Sequence, residues 1–526
     1  MSPARPAGSS PVSQVHASRL FIASCVALTS GAMMFAITAD IMGPLKREFI
    51  LTNEQIGLIM GWSGWGFTIG IFALGPLCDA IGMRWLLRFA LVCHAVGIFL
   101  MIGAQGFYTL FAGAFINALG SGAVEAACNP LVATIYPDKK THKLNQFHMW
   151  FPGGIVIGGV GAYLLTRVGL DSWQLKLLLA LAPTIAYGIL FTGQYFPPTE
   201  RVASGVSFGG MTRETLLRPL FLVLLGCMML TASLELGPNR WIPSVLEAGG
   251  VPGILVLVWI TGLMAVLRYF AGPVVKVLTN NGVLLLSAIV GGVGLALLSF
   301  SSHIVMIGVA ATIFAFGVCY FWPTILGSVA ERVPKGGALA LALMGGMGGL
   351  FVSTVTIPVM GTIADGYLHR ELVFKGEAGG QAVNREQETL ASLRQVDDAY
   401  GAWLRSLGDT RQDEVTRREI AAARTAAWEV LDYWQSSGLL LKPDTANALR
   451  AAIKNGPPDS VEKEGSVAAR TALAAKQKAA GILNPADNKG GLMSFRYVAP
   501  ISIVLILVFG AMFIQDRKRP REAPRS

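Results

Sequence analysis

Twelve long runs of apolar residues constrain the fold of this chain more than any other feature. A bilayer core of about 30 Å requires about 20 apolar residues in a helix, and inside lipid every backbone polar group must be satisfied within the segment. Hydrophobic residues make up 53% of the 526 residues and charged residues only 14%, which is a low charge content for a soluble domain. We therefore predict an all-α membrane protein. The predicted spans are residues 20–44, 53–74, 85–104, 107–136, 144–166, 173–196, 219–245, 252–274, 283–301, 303–329, 338–364 and 493–515.

Lysine and arginine are concentrated after the even-numbered spans. Arg84 and Arg88 follow the second span, Asp138–Lys143 contains three lysines after the fourth, and Asp516–Arg521 follows the last. Because cytoplasmic loops collect basic residues, this bias predicts that both termini are cytoplasmic. We further expect the chain to lie in a bacterial inner (plasma) membrane. The formal net charge of +10 is then explained by these loops, and we expect no nucleic-acid partner. We also expect a monomer.

One polar segment, residues 366–491, interrupts the pattern between helices 11 and 12. It carries charges of both signs and no cysteine, and in Arg417–Trp434 the apolar residues recur at helical spacing. We predict a small helical extramembrane domain on the periplasmic side. The open alternatives are an insertion without a role in transport and the output module of a membrane sensor.

The two halves of the chain resemble each other. Short matches recur in the same order and at a nearly constant offset: Asp40 with Glu235, Gly75-Pro76 with Gly272-Pro273, and Cys128–Leu131 with Phe321–Ile325. Two six-helix halves in parallel repeat are typical of the major facilitator fold, so we predict two pseudo-symmetric six-helix bundles. The predicted parts are a cytoplasmic tail (1–19), an N-terminal bundle (20–196), a cytoplasmic linker (197–218), helices 7–11 of the C-terminal bundle (219–365), the insert (366–491), and helix 12 with a basic tail (492–526).

The segment Gly75–Arg84, "GPLCDAIGMR", joins helices 2 and 3 and resembles the major facilitator loop signature. Gly75 allows close helix approach, Asp79 can accept bonds from helix-end amides, and Gly82 and Arg84 complete the pattern. The resemblance implies a conformational role for these residues and says nothing about the solute.

Three further stretches resemble the fucose–proton symporter family. They are "EAACNP" (Glu125–Pro130), "KLNQFH" (Lys143–His148) and "ADIMGPLKREFILTNEQIGLI" (Ala39–Ile59). The resemblance implies a sugar symporter driven by protons.

Within these stretches, single residues match the family position by position. Asp40 and Glu125 match two acids that the family uses for proton movement and sugar recognition, and Asn129 and Asn145 match as well. His148 departs from the family pattern, which leaves the identity of the sugar open.

Glu125 and Asn129 are also notable on chemical grounds alone. A charged residue at the bilayer centre costs about 2.5–3.5 kcal/mol, so a carboxylate inside a long apolar run indicates a function. The two residues are four positions apart and share one helix face, where a carboxylate can accept and an amide can donate and accept hydroxyl hydrogen bonds. The alternative is a structural hydrogen bond between helices.

We predict that three acids, Asp40, Glu125 and Glu235, take part in proton coupling. Asp40 would load a proton from the periplasm and Glu125 would couple protonation to sugar binding. The alternative for Asp40 is an interfacial acid near Lys46 and Arg47.

Glu235 and Asn239 are again four residues apart, on helix 7. They either face a central cavity or, in the alternative, Glu235 pairs with Arg240. A cation bound at Glu235 would make sodium coupling possible. Arg268 is expected near the inner end of helix 8, with its side chain reaching the interface.

Two further residues complete the predicted solute site. His148 can exchange hydrogen bonds with sugar hydroxyls or titrate, and its alternative is a bond to a loop carbonyl. Trp322, the repeat-mate of Asn129, is the first candidate for stacking on a sugar face, and its alternative is packing.

The sequence therefore predicts a secondary active transporter that imports a monosaccharide or related polyol with protons. No phosphate-binding loop, nucleophile motif or histidine cluster is present in the sequence, so we expect no enzyme activity, cofactor or metal. The rival interpretations are a proton-coupled exporter of drugs or amphiphiles and a non-transporting sensor.

Overall fold

The computed structural model confirms a membrane protein with twelve spanning segments. It describes residues 15–49, 53–170, 172–203, 205, 207–251, 253–378, 381–408, 411–442 and 444–518. Within these residues, 11 helical segments are long and apolar enough to cross a bilayer, and a shorter apolar helix, Leu255–Tyr269, supplies the twelfth.

The first six spans form the N-terminal half. Four of them are single helices, whereas the fifth and sixth are each divided into two. The helices are α1 (Ala17–Glu48), α2 (Asn53–Ile81), α3 (Met83–Ile102), α4 (Phe107–Ile135), α5 (Lys140–His148), α6 (Trp150–Arg167), α7 (Trp173–Leu178) and α8 (Leu181–Phe191). Two short helices, α9 (Glu200–Ala203) and α10 (Phe208–Leu216), lead to the second half.

The C-terminal half also contains divided spans, among them helices 10, 11 and 12. Its elements before the insert are α11 (Pro219–Ala248), α12 (Gly253–Tyr269), α13 (Ala271–Phe300), α14 (Ile304–Val318), α15 (Phe321–Arg332), α16 (Gly337–Phe351) and α17 (Ile357–Leu372). A π-helical turn, Val352–Thr356, joins α16 to α17.

Glycines allow close packing inside the N-terminal half. A Cβ atom on Gly97 of α3 would lie 2.7 Å from the carbonyl oxygen of Gly113 on α4, and one on Gly122 of α4 would collide with the carbonyl oxygen of Phe67 on α2. Small residues that bring helix backbones together replace the missing hydrophobic driving force between helices in lipid. Helix 4 is thereby held against both neighbours, and its polar residues have fixed positions.

The two halves meet at the end where helices 4 and 10 terminate. Thr141 Oγ1 donates to Glu331 Oε1 at 2.7 Å, and Lys140 Nζ donates to the carbonyl of Ala330 at 3.2 Å. The charge pattern predicts that this end is cytoplasmic. These contacts close the interface between the two halves at this end.

The insert is mainly helical, but it contains a β-hairpin that the sequence analysis did not predict. The strands β1 (Lys375–Ala378) and β2 (Gln381–Asn384) pair antiparallel. The helices of the insert are α18 (Arg385–Arg405), α19 (Arg411–Ser437), α20 (Asp444–Asn455), α21 (Val461–Glu464) and the first part of α22 (Val467–Val498). The last helix, α23 (Ile501–Lys518), completes helix 12.

The predicted insert limits, residues 366 and 491, fall inside continuous helices. Helix α17 continues to Leu372 and α22 already begins at Val467, so helices 11 and 12 extend outward into the insert. There they pack with α18 and α19 around a separate hydrophobic core that includes Tyr400 and Trp403. The insert therefore rests on two helices of the C-terminal half.

Candidate polar site between the two halves

Glu125 is the first member of a buried polar chain. Its side chain accepts a hydrogen bond from Asn129 Nδ2 at 2.6 Å, one turn further along α4. The Oδ1 atom of the same amide lies 2.9 Å from His148 Nε2 and accepts from it when the imidazole carries its proton on Nε2. The three residues are 5%, 1% and 2% exposed. They are therefore held by one another and screened from solvent.

Helix 5 is interrupted directly after His148. Helix α5 ends at His148 and α6 begins at Trp150, just before Pro152. A proline ring clashes with the carbonyl four residues earlier, and it has no amide hydrogen to donate to that carbonyl. Here that carbonyl belongs to His148. The missing amide leaves the backbone oxygen of His148 without its usual helical partner.

Arg268 of α12 joins this chain from the other half of the protein. It is 3% exposed, and its Nη1 atom donates to the carbonyl of His148 at 3.0 Å. Its Nη2 atom donates to Glu235 Oε1 at 2.9 Å, and Nε donates to the carbonyl of Cys319 at 2.5 Å. The expectation that Arg268 reaches the membrane interface is therefore wrong, because the side chain lies in the protein interior.

The carbonyl of Cys319 is available for the same reason as that of His148. Helix α14 ends at Val318 and α15 begins at Phe321, and Pro323 stands four residues after Cys319. Proline again supplies no amide hydrogen to the carbonyl four residues before it. Arg268 thus donates to two carbonyls, one in each half, whose helical donors are replaced by prolines.

Glu235 pairs with Arg268 and not with Arg240, the partner considered from the sequence. The Glu235 side chain is 4% exposed and its Oε2 atom has no hydrogen-bond partner among the described residues. Arg240 instead places its guanidinium 4.4 Å from the ring centre of Phe35. The buried network consequently contains two carboxyl groups, of Glu125 and Glu235, and the single guanidinium of Arg268.

Asp40 lies apart from this network and is paired. Its Oδ2 atom is 2.8 Å from Lys176 Nζ on α7, and the two side chains are 41% and 5% exposed. The side chains of Lys46 and Arg47, the partners considered from the sequence, lie outside the described part of the structure. The ion pair ties helix 1 to helix 6 near the end of the molecule opposite the closed interface.

Asn145 lies at the interface, closer to its closed end. Its Nδ2 donates to the carbonyl of Thr141 at 2.9 Å and to Thr324 Oγ1 of the other half at 3.3 Å, whereas Oδ1 has no described partner. None of its hydrogen bonds in the structure reaches Glu125. Its role in solute binding stays a prediction.

Asn239 and Trp322 lie in the C-terminal half, and neither hydrogen-bonds to Glu125 in the described part of the structure. The Oδ1 atom of Asn239 is buried and accepts no hydrogen bond from the described residues. The indole of Trp322 lies against α16, where Cβ atoms on Gly345 and Gly348 would be 3.6 and 3.1 Å from it. This favours packing for Trp322, and the free amide oxygen leaves Asn239 available for a ligand.

The loop motif between helices 2 and 3 makes contacts within and between the halves. Asp79 accepts from Thr199 Oγ1 at 2.5 Å, and Arg84 donates to the carbonyl of Gln194. Gly82 has φ +86°, a left-handed conformation that glycine adopts without strain. A Cβ on Gly75 would collide with Ala342 of α16, so this glycine lies at the contact between halves.

Sequence reasoning missed the basic partners. Arg268 and Lys176 are separated by long stretches of chain from the acids they bind, so no spacing rule pairs them. The sequence did contain a signal for a donor such as Arg268. Pro152 and Pro323 leave the carbonyls four residues before them without a helical donor. Among the described residues, no group of three or more His, Cys, Asp or Glu side chains could hold a metal ion.

The comparison with known proteins decides the family. The profile of the Major Facilitator Superfamily matches residues 20–358. The chain belongs to the Major Facilitator Superfamily. It is therefore a multi-pass membrane transporter and not an enzyme, and the predicted twelve-helix fold in two halves is confirmed.

Individual relatives are distant and differ in what they carry. Sugar transporter ERD6-like 8 of Arabidopsis thaliana is 25% identical over 37% of this chain and 40% of its own length. The vacuolar membrane amino acid uptake transporter fnx2 of Schizosaccharomyces pombe is 26% identical over 43% and 39%. The L-fucose-proton symporter of Escherichia coli is 32% identical over 27% and 34%. The chain thus matches less than half the length of these relatives.

Solved structures support the fold over a longer stretch. The transporter FucP, crystallised in the outward conformation, superposes with a TM-score of 0.55 at 18% identity, covering 66% of this chain and 92% of FucP. The uncovered third of this chain is the size expected if the insert and the terminal tails have no counterpart there.

Proposed function

We propose that this transporter imports a monosaccharide or related polyol together with protons. The observation that carries the proposal is the buried network of Glu125, Asn129, His148, Arg268 and Glu235. It connects the two halves and contains groups suited both to hydroxyl recognition and to proton exchange. The names of the sugar-transporting relatives support the same solute class.

The charges of the network account for the coupling to protons. With both carboxyls ionised and His148 neutral, two negative charges face one guanidinium inside the protein. Uncompensated charge is costly in a low-dielectric interior, so one proton on a carboxyl balances the network. Because Glu235 already binds Arg268 at 2.9 Å, we place that proton on Glu125.

Protonation of Glu125 changes the hydrogen bonds available to a solute. Asn129 Nδ2 donates to the Oε2 atom of Glu125. A proton on the other oxygen, Oε1, would leave this bond in place and would turn Oε1 from an acceptor into a donor toward a solute hydroxyl. A sugar hydroxyl both donates and accepts and fits between a carboxyl oxygen and an amide nitrogen. Solute affinity and protonation are linked in this way.

Asp40 has a different place in the proposal. Its ion pair with Lys176 supports a structural role at the outer end of helices 1 and 6. The coupling step therefore does not depend on Asp40, which departs from the expectation that Asp40 loads the proton.

The test is solute accumulation in proteoliposomes under an imposed proton gradient. We expect one or more members of a panel of radiolabelled monosaccharides and polyols to accumulate, and a protonophore to abolish the accumulation. Glu125→Gln should lose accumulation but retain exchange of labelled for unlabelled solute. Glu247→Gln, the same change at an exposed position on helix 7, is the matched control and should behave as wild type.

Three outcomes would contradict the proposal. Accumulation by Glu125→Gln equal to wild type would remove Glu125 from coupling. Accumulation driven by a sodium gradient in the absence of a proton gradient would assign coupling to sodium. Extrusion of amphiphiles, with no panel sugar transported, would favour the exporter.

A further inference from the structure

We propose that Arg268 is a latch that holds the two halves in the observed arrangement by occupying the carbonyl oxygen that Pro152 leaves without a helical donor. The inference goes beyond the proposed function, since it depends on neither the solute nor the coupling ion. It concerns how a transporter of this fold keeps one of its two states.

The first argument is the division of the three Arg268 bonds between the halves. Two of them, to Glu235 and to the carbonyl of Cys319, fix the guanidinium within the C-terminal half. The third, to the carbonyl of His148 at 3.0 Å, crosses to the N-terminal half. The Arg268 side chain is thus held in place by the C-terminal half and donates a hydrogen bond to the backbone of the N-terminal half.

The second argument is the source of that acceptor. A carbonyl inside a regular helix is already occupied by the amide four residues later, and an arginine has little to gain from it. Pro152 removes that amide, so the oxygen of His148 is free and would be unsatisfied in the interior without Arg268. An unsatisfied buried carbonyl is unfavourable, and the latch is therefore strongest in the state that brings Arg268 to it.

The third argument is that this bond crosses the interface along which the two halves move. The interface at the ends of helices 4 and 10 is held by Thr141 and Glu331 and by Lys140 and Ala330. Alternating access rocks one half against the other, so α12 and the α5–α6 break must separate or slide. Losing this bond from a charged donor to a buried acceptor costs free energy. The bond therefore favours the observed state over the state that is open at this end.

The prolines offer a test that leaves every charged and polar side chain in place. Pro152→Ala restores an amide that competes with Arg268 for the carbonyl of His148. Pro323→Ala does the same for the carbonyl of Cys319, but within one half. It is therefore the matched control. Spin labels at Asp138→Cys and Lys335→Cys report the closed end, because both positions are exposed and all six native cysteines are buried.

The expected result is a shift of the two-state ratio toward the wider label distance for Pro152→Ala, by about ten-fold, measured by double electron–electron resonance. Pro323→Ala competes only for a bond within the C-terminal half, so it should shift the ratio much less than Pro152→Ala. The readout is a distance without any solute present, so it can fail while the transport proposal stands, and the converse holds as well.

A double-mutant cycle with Arg268→Met distinguishes two explanations for a shift in Pro152→Ala: loss of the latch, and straightening of helix 5 alone. If the latch exists, Pro152→Ala should cause no further shift once Arg268 is replaced, because the two changes break the same interaction. Should Arg268→Met fold poorly, the same cycle is run in Arg268→Met/Glu235→Gln, which keeps the charges balanced. The proposal is overturned if Pro152→Ala shifts the ratio equally with and without Arg268, or if Pro323→Ala shifts it as far.

Discussion

At the scale of single residues, the polar site combines one contact that sequence spacing predicts with others that it does not. Glu125 and Asn129 are one turn apart on α4, and they bond at 2.6 Å as helical geometry requires. His148 joins them from helix 5, so this contact depends on how helices 4 and 5 pack. Arg268 and Lys176 could not be paired with Glu235 and Asp40 from the sequence, since these contacts depend on how distant helices pack.

The ion pair between Arg268 and Glu235 leads to a prediction on stability. Arg268→Met should lower the free energy of unfolding by about 3–5 kcal/mol, because it leaves the Glu235 carboxylate in the interior without its cation. Arg268→Met/Glu235→Gln should recover much of the loss. Thermal unfolding in detergent measures both, with Glu247→Gln as the control. A double variant that melts as low as Arg268→Met alone would show that the charge imbalance is not the cause.

The pair of Asp40 and Lys176 gives a second residue-scale prediction. Asp40→Asn should weaken accumulation, and the charge-neutral pair Asp40→Asn/Lys176→Gln should transport better than Asp40→Asn, if the acid is structural. Uphill uptake in proteoliposomes is the measurement. If both variants lack accumulation while exchange persists, the carboxyl of Asp40 belongs to the proton pathway after all.

At the scale of elements, the apolar runs predicted the membrane spans well, but they did not predict where helices break within those spans. Hydropathy shows that residues 144–166 and 303–329 are apolar enough to span, but it does not show that a helix stops inside them. The breaks at His148 and at Cys319 follow from prolines whose effect depends on a donor from another helix. The β-hairpin of the insert was missed because two four-residue strands, β1 and β2, carry little periodicity.

The contact of α2 with α16 leads to an element-scale prediction. Gly75→Ala should disfavour the observed closed end, since a Cβ there would collide with Ala342. Gly64→Ala is the matched control on the same helix, because its Cβ would lie at an ordinary 3.5 Å from Ser353 Oγ. Spin-label distances between positions 138 and 335 should widen only for Gly75→Ala. Equal distances in both variants would remove Gly75 from the closing contact.

At the scale of the whole molecule, the chain consists of a transporter and an added domain with a core of its own. The predicted arrangement of two six-helix bundles with a mainly helical insert between helices 11 and 12 agrees with the structure. The limits of the insert could not be predicted, because α17 and α22 continue from membrane to solvent without a change in helical character. Polar composition marks where lipid ends, and it does not mark where a helix ends.

Because the insert has a hydrophobic core of its own, we expect the membrane part to function without it. Replacing residues 374–465 by a short Gly/Ser linker should retain solute exchange, because the polar site lies wholly outside this segment. The shortened protein should aggregate more readily, since Leu368 and Leu372 lose the core that covers them. Exchange assays and size-exclusion chromatography measure the two effects. A monodisperse variant without exchange would instead indicate that the insert takes part in transport.

The attachment of the insert has a practical consequence for imaging. The insert continues α17 and α22 of the C-terminal half, and Asn488 of α22 also donates to the carbonyl of Val245 on helix 7 at 2.7 Å. An antibody fragment bound to the insert would move with the C-terminal half, whereas the N-terminal half would carry no label. The fragment would serve as a fiducial marker on an otherwise near-symmetric particle. The angle between the fragment and the detergent belt would tell electron microscopists which way the transporter faces.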